Sequence, residues 1–208
     1  LLTTLDTTDC TSLQRMWCTG NRLVSVDAVL EGSSIKLAAN GSGYVGLTYD
    51  PRGGEYYITA TENTGTFMDW TNAADAQVST MAQTDILRAT AYDLTADFLT
   101  IESSVSGGKI YVGGRITLTP NFDGGEWDWD EDYFSATFNS PATFTALKVG
   151  TTTVTYTVGG VTVSYDVTIE ASGLPGTGQD FTWVWMLCGA ALILAAGAAV
   201  LKRKAMKS

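Results

Sequence analysis

Val154-Thr155-Tyr156-Thr157-Val158-Gly159-Gly160-Val161-Thr162-Val163-Ser164-Tyr165-Asp166-Val167-Thr168-Ile169 alternates apolar and polar residues on both sides of a glycine pair. Successive strand side chains point to opposite faces. Val161, Val163, Tyr165, Val167 and Ile169 therefore share one face, and Thr162, Ser164, Asp166 and Thr168 share the other. Val154, Tyr156 and Val158 form a matching face on the preceding strand. Gly159-Gly160 suits a two-residue turn, so the stretch reads as a tight β-hairpin. Upstream, Ile110, Val112, Ile116 and Leu118 supply earlier strands around Gly113-Gly114. Short strands separated by turns over 105–170 predict a small β-sandwich.

Composition agrees with a β-rich chain. Its 208 residues include 31 threonines and 22 glycines but only 4 prolines, a mixture that favours strands and turns over a helical bundle. There is no histidine, which removes His-based triads, His general bases and His-containing zinc sites. Twelve basic against 22 acidic side chains give a net charge of -10, which argues against nucleic acid as a partner. Three cysteines without paired metal spacing do not make a disulfide or zinc scaffold.

Further residues in 105–170 carry a resemblance. Val112-Gly113-Gly114-Arg115-Ile116-Thr117-Leu118 is similar to the opening of bacterial immunoglobulin-like domains of group 2. Trp129 matches their core tryptophan, and Phe144–Thr155 matches their pattern x-A-x-x-x-G-x-x-x-V/I-T. The resemblance implies an immunoglobulin-like β-sandwich acting as a spacer or adhesion module. Its middle departs from the family: Asp123-Gly124-Gly125-Glu126-Trp127-Asp128-Trp129-Asp130-Glu131-Asp132 holds six carboxylates. Asp128, Asp130 and Asp132 would share a strand face about 7 Å apart. They are a weak Ca²⁺ candidate, or else a solvated acidic face. Tyr133 and Asn139 occupy the positions where an EF-hand needs Gly and a bidentate acid. No cofactor is otherwise expected.

The middle, 28–104, alternates at Ile35-Lys36-Leu37, Tyr44–Tyr49 and Tyr56–Ala60, with turn signals at Asn40-Gly41, Asp50-Pro51 and Gly53-Gly54. Ile58–Asn63 followed by Gly65, Phe67 and Trp70 resembles the divergent repeat modules of internalin-like proteins, with Asp69 where they place glycine. Residues 82–98 read as helix or strand; their threonines favour strand.

In 1–27, Leu13, Met16, Cys18, Asn21, Leu23 and Val26 fall on the leucine-rich repeat pattern L-x-x-L-x-C-x-x-N-x-L. The resemblance is to bacterial surface repeats whose units close with Leu/Val-Asp, as Leu5-Asp6 and Val26-Asp27 do. It implies a repeat remnant in which Met16 and Cys18 point inward. Arg15, Trp17 and Thr19 then face solvent, as candidate ligand contacts or as a cover for the repeat sheet. Cys10 and Cys18 read as buried thiols or as a disulfide. The chain lacks an initiator Met and a leader pattern, and one and a half repeats bury too little, so it is expected to be the C-terminal part of a longer precursor.

At the other end, residues 181–201 contain no charged side chain. At 1.5 Å per residue they span about 31 Å, enough for a bilayer core. Lys202, Arg203, Lys204 and Lys207 follow as a retention tail on the cytoplasmic side. In the 171–180 linker, Leu174-Pro175-Gly176-Thr177-Gly178 resembles the LPxTG sorting signal of Gram-positive surface proteins. The resemblance implies a sortase that cleaves between Thr177 and Gly178 and passes the Thr177 carboxyl to a peptidoglycan precursor.

The expected fold class is thus mainly β: a leucine-rich repeat remnant (1–27), an irregular β-rich module (28–104), an immunoglobulin-like sandwich (105–170) and a single C-terminal transmembrane helix (181–201) with a basic tail (202–208). The expected location is a Gram-positive cell surface, wall-anchored and membrane-spanning before sorting. The expected function is an adhesin or ligand-binding module, with an extracellular protein or glycan as ligand. The alternatives are a structural wall protein and the non-catalytic anchor region of a larger surface enzyme. The chain itself is expected to be a sortase substrate, not an enzyme.

Overall fold

The alternating segments fold as strands. The computed structural model describes residues 1–172 apart from 11, 14, 31, 51–54, 86–91 and 139–140. The first ten strands are β1 (Thr4–Thr7), β2 (Met16–Trp17), β3 (Ser25–Leu30), β4 (Ser33–Asn40), β5 (Gly43–Asp50), β6 (Glu55–Glu62), β7 (Thr66–Asn72), β8 (Gln77–Ser79), β9 (Gln83–Asp85) and β10 (Tyr92–Leu99). They make two sheets, ordered β1-β3-β4-β10-β7-β8 and β2-β5-β6-β9. Period-two alternation sends Val26, Ala28 and Leu30 of β3, Val45, Leu47 and Tyr49 of β5, and Leu94, Ala96 and Phe98 of β10 into one core around Trp70. Each large side chain buried there contributes about 1.5–3 kcal/mol.

The chain changes sheets between β4 and β5 at a corner where glycine is required. Gly41 has φ +95°, and a Cβ on it would meet the Phe98 carbonyl. A Cβ on Gly43 would strike the Phe98 ring. The corner therefore closes directly onto β10.

Eight strands follow: β11 (Ile101–Ser103), β12 (Lys109–Tyr111), β13 (Arg115–Pro120), β14 (Glu126–Asp128), β15 (Phe134–Phe138), β16 (Ala142–Ala146), β17 (Gly150–Val158) and β18 (Val161–Glu170). They form a sandwich of sheets ordered β11-β13-β16-β15 and β12-β18-β17-β14. Its core holds Ile116, Leu118, Phe134, Phe144, Val154, Val167 and Ile169. The β17–β18 hairpin pairs Val158 with Val161, turning on Gly159 (φ 59°) and Gly160 (φ 80°). Positive φ at both turn residues matches the strand twist.

A third cluster joins the two sandwiches: Leu99, Tyr156 and Val163, with Met68, Phe122, Val158 and Val161 against them. Residues 1–171 accordingly form one compact unit.

The structure redraws parts of the sequence reading. The expectation of a C-terminal transmembrane helix, with its membrane-spanning location, is overturned: among the described residues no helix is long and apolar enough to cross a membrane. The helical content described is one 3-10 turn, Ser106–Gly108. The fold class over 1–171 is therefore β throughout, and residues 181–201 and the tail 202–208 lie outside the described residues. Strand β3 runs through position 27 and shares one core with buried residues from Met16 to Phe98, among them Val45, Ile58, Trp70 and Leu94. Ile101–Ser103 joins the second sandwich ahead of position 105. In 82–98 the described residues from Gln83 onward are strand, in β9 and β10.

Candidate functional site

Strand β2 is two residues long and lies antiparallel to β5, with Met16 opposite Tyr49 and Trp17 opposite Thr48. Alternation buries Met16 and Cys18 and leaves Trp17 57% exposed. The next residue fixes the strand. The Cys18 amide donates to the Leu47 carbonyl at 3.0 Å, its thiol donates to the same oxygen at 3.3 Å, and the Leu47 amide donates to Sγ at 3.2 Å. Burial pushes the Cys18 thiol above its ordinary pKa, so it stays neutral and unreactive. Cys10 is exposed, not buried, and both cysteines are free thiols.

With β2 held, the Arg15 guanidinium stacks over the Trp17 ring, 5.7 Å from its centroid. Thr19 lies on the same side, where its Cα and Cγ2 fill the space a Gly46 side chain would need, 3.0 Å from that Cβ position. The face continues across β5 and β6 through Thr48 and Tyr57, which are register neighbours. Thr48 is 1% exposed, and its Oγ1 has no hydrogen-bond partner among the described residues. Arg15, Trp17 and Thr19 thus sit together on the outer face of this sheet, next to the buried Thr48.

The acidic stretch is arranged differently from the strand reading. Only Asp128 of Asp128, Asp130 and Asp132 lies in a strand, at the end of β14. The other two fall in the turn that follows, where Asp130 Oδ1 accepts the Asp132 amide at 2.9 Å. All three are exposed, and no group of three or more acidic, Cys or His side chains among the described residues is placed to hold a metal ion. Trp129, expected in the core, is half-buried between Phe138 and Phe144, at ring-centroid distances of 4.8 and 6.0 Å.

Sequence reasoning passed over Asp97. This buried carboxylate accepts Asn40 Nδ2 at 2.7 Å and Thr71 Oγ1 at 2.9 Å, tying β4, β10 and β7 together. Its full set of partners marks it as structural. The sorting peptide Leu174, Pro175, Gly176, Thr177 and Gly178, and the tail residues Lys202, Arg203, Lys204 and Lys207, lie outside the described residues.

No family model matches the chain, and no curated protein matches it. Among solved structures, a crystal structure of the I9-I11 tandem from titin is similar over 76% of this chain and 83% of that one. The identity is 9% and the TM-score 0.24, a level that carries no argument.

Proposed function

We propose that this chain is a β-domain display segment, a sortase substrate that carries a recognition face on the sheet β2-β5-β6-β9. The observation behind the recognition face is the stacked pair Arg15–Trp17. A large aromatic side chain costs apolar exposure when left in water, yet here the strand bearing it is pinned by Cys18 and Leu47. Trp and Arg are the side chains that most often carry binding energy in recognition surfaces. The Leu99–Tyr156–Val163 cluster supports the display role, since it ties the recognition sandwich to the second sandwich without a flexible spacer.

In this reading the linker supplies the point of attachment. Pro175 fixes its own φ and biases Leu174 toward an extended backbone, which suits a peptide entering an enzyme cleft. A sortase thiolate attacks the Thr177 carbonyl, and the Thr177–Gly178 bond breaks with proton delivery to the departing Gly178 amine. The amine of a peptidoglycan precursor then displaces the thiol and forms a new amide. The chain is the substrate throughout.

Incubating the full chain with a purified sortase and triglycine tests the attachment. The expected product ends at Thr177 joined to triglycine, and Thr177→Ala gives none. An intact chain after prolonged incubation overturns it. Binding of the chain to extracellular proteins and glycans, compared with Trp17→Ala, tests the face. Equal binding by the variant removes Trp17 from that role.

A further inference from the structure

A strand that ends a sheet turns one row of amides and carbonyls outward, and natural edges are guarded by shortness, charge or bulges. Most edges here are guarded in one of these ways. Among the described strands that end a sheet, β2, β8, β9, β11, β12 and β14 are two or three residues long, and β1 carries Asp6. β15 differs. Phe134-Ser135-Ala136-Thr137-Phe138 is five residues long, has no charge or proline, and pairs with β16 without a register shift. No described strand pairs with its other side.

The register shows which groups point outward. The Ala146 amide donates to the Gly114 carbonyl and its carbonyl accepts the Gly113 amide, both on the β13 side. Ala146 and its β15 neighbour Phe134 are therefore a non-hydrogen-bonded pair. Alternation makes Ala136 opposite Phe144, and Phe138 opposite Ala142, pairs of the same kind. The main-chain groups of these three β15 residues thus point away from β16. The Phe134 amide donates to the Asp130 carbonyl at 3.0 Å. Along the edge then run the Phe134 carbonyl, the Ala136 amide and carbonyl, and the Phe138 amide.

The edge sequence decides what fits it. Read in either direction, it runs aromatic, hydroxyl, alanine, hydroxyl, aromatic. Such a strand is complementary to itself when a second copy lies antiparallel about Ala136. Each Ala136 exchanges both bonds with its counterpart, and each Phe138 amide meets the Phe134 carbonyl of the other copy. Ser135 then sits opposite Thr137 on the exposed face. The Phe138 ring, 51% exposed, comes alongside the other copy's Phe134. Hydroxyl pairs and aromatic pairs are both favourable across strands.

Charge selects the direction. Asp130, Glu131 and Asp132 are exposed in the turn just before β15. Two such turns repel when the strands lie parallel. In the antiparallel pair the length of β15 holds them more than about 17 Å apart, beyond the screening length of about 8 Å at physiological salt.

We propose that β15 is a self-association edge, which joins two copies of this chain about a two-fold axis through Ala136 into one continuous sheet. The pairing is isologous and closes at two copies. A single strand pair is a small interface, so the Kd is expected between about 10 µM and 1 mM.

Sedimentation velocity of the full chain across that range tests the proposal. The native chain is expected to pass from monomer to dimer. Ala136→Pro removes an edge amide that β16 does not use, and is expected to weaken the dimer at least tenfold. Ser135→Lys with Thr137→Lys sets like charges opposite each other across the axis and serves if the proline variant does not fold. Ser135→Cys with Thr137→Cys tests the register, because facing positions of that pair lie within disulfide reach. Mild oxidation is expected to link two copies of the double variant far more than either single variant, which has the same native thiols. A native monomer up to about 1 mM, unchanged dimerisation in a folded variant, or no more cross-linking than in the single variants overturns the proposal.

Discussion

Asn121 reaches from the second sandwich to the end of the first, where its Nδ2 donates to the Phe98 carbonyl at 2.9 Å. The same side chain accepts the Thr100 amide at 2.8 Å through Oδ1. One amide thus fastens the segment where β10 passes into β11. Asn121→Ala removes both bonds and is expected to cost about 1–3 kcal/mol. Because the Leu99–Tyr156–Val163 cluster lies beside the clasp, the loss should also loosen the coupling between the two sandwiches. Urea unfolding followed by fluorescence and by circular dichroism checks this: coincident transitions in the native chain should separate in the variant.

Trp70 and Trp129 differ in environment. Trp70 is fully buried, and Trp70→Ala should cost about 3–5 kcal/mol, a large part of the stability of a domain this size. Trp129 is half-buried, so Trp129→Ala should cost clearly less than Trp70→Ala. Midpoints of chemical denaturation at equal slope decide the order; a larger loss for Trp129 contradicts it.

The hairpin β17–β18 and the inward placement of Met16 and Cys18 around outward Trp17 were legible because period-two alternation belongs to the strand itself. What Trp17 lies next to was not. A two-residue strand carries no pairing information, and β2 finds β5 through the Cys18–Leu47 contacts, which depend on the folded chain. Asp97 was equally hidden, since its partners Asn40 and Thr71 arrive on strands distant in sequence. The pattern from Leu13 to Val26 fits a repeat on its own, but β3 carries it past position 27 into a shared core. Trp127 and Trp129 are two residues apart and both half-buried, so alternation alone could not rank them.

The thiols supply a third test. In native protein, iodoacetamide should label Cys10 rapidly and Cys18 slowly, because Cys18 is buried and its thiol is held neutral. Peptide mapping after short exposure reads both sites. Its raised pKa also fixes a sign: the folded state holds that proton more tightly, so stability should fall as pH rises above the ordinary thiol value.

Asp6 gives the opposite sign. The Thr8 amide at 2.9 Å and then the Thr8 hydroxyl at 2.7 Å donate to its Oδ1 and hold its pKa below the ordinary carboxylate value. The turn after β1 is therefore supported above the unfolded pKa, and that support fades as pH falls through the folded one. NMR titration of Asp6 in the native chain and in Thr8→Ala checks this. The variant should titrate nearer the ordinary value.

The corner at Gly41 and Gly43 bears on how this chain can diverge. Neither position can gain a side chain while Phe98 stays where it is, and Phe98 cannot shrink without opening a void behind the corner. The three sites can drift only together. Across descendants of this fold they should change as a linked set or stay fixed, and their invariance would report the geometry of a bend and not a shared ligand.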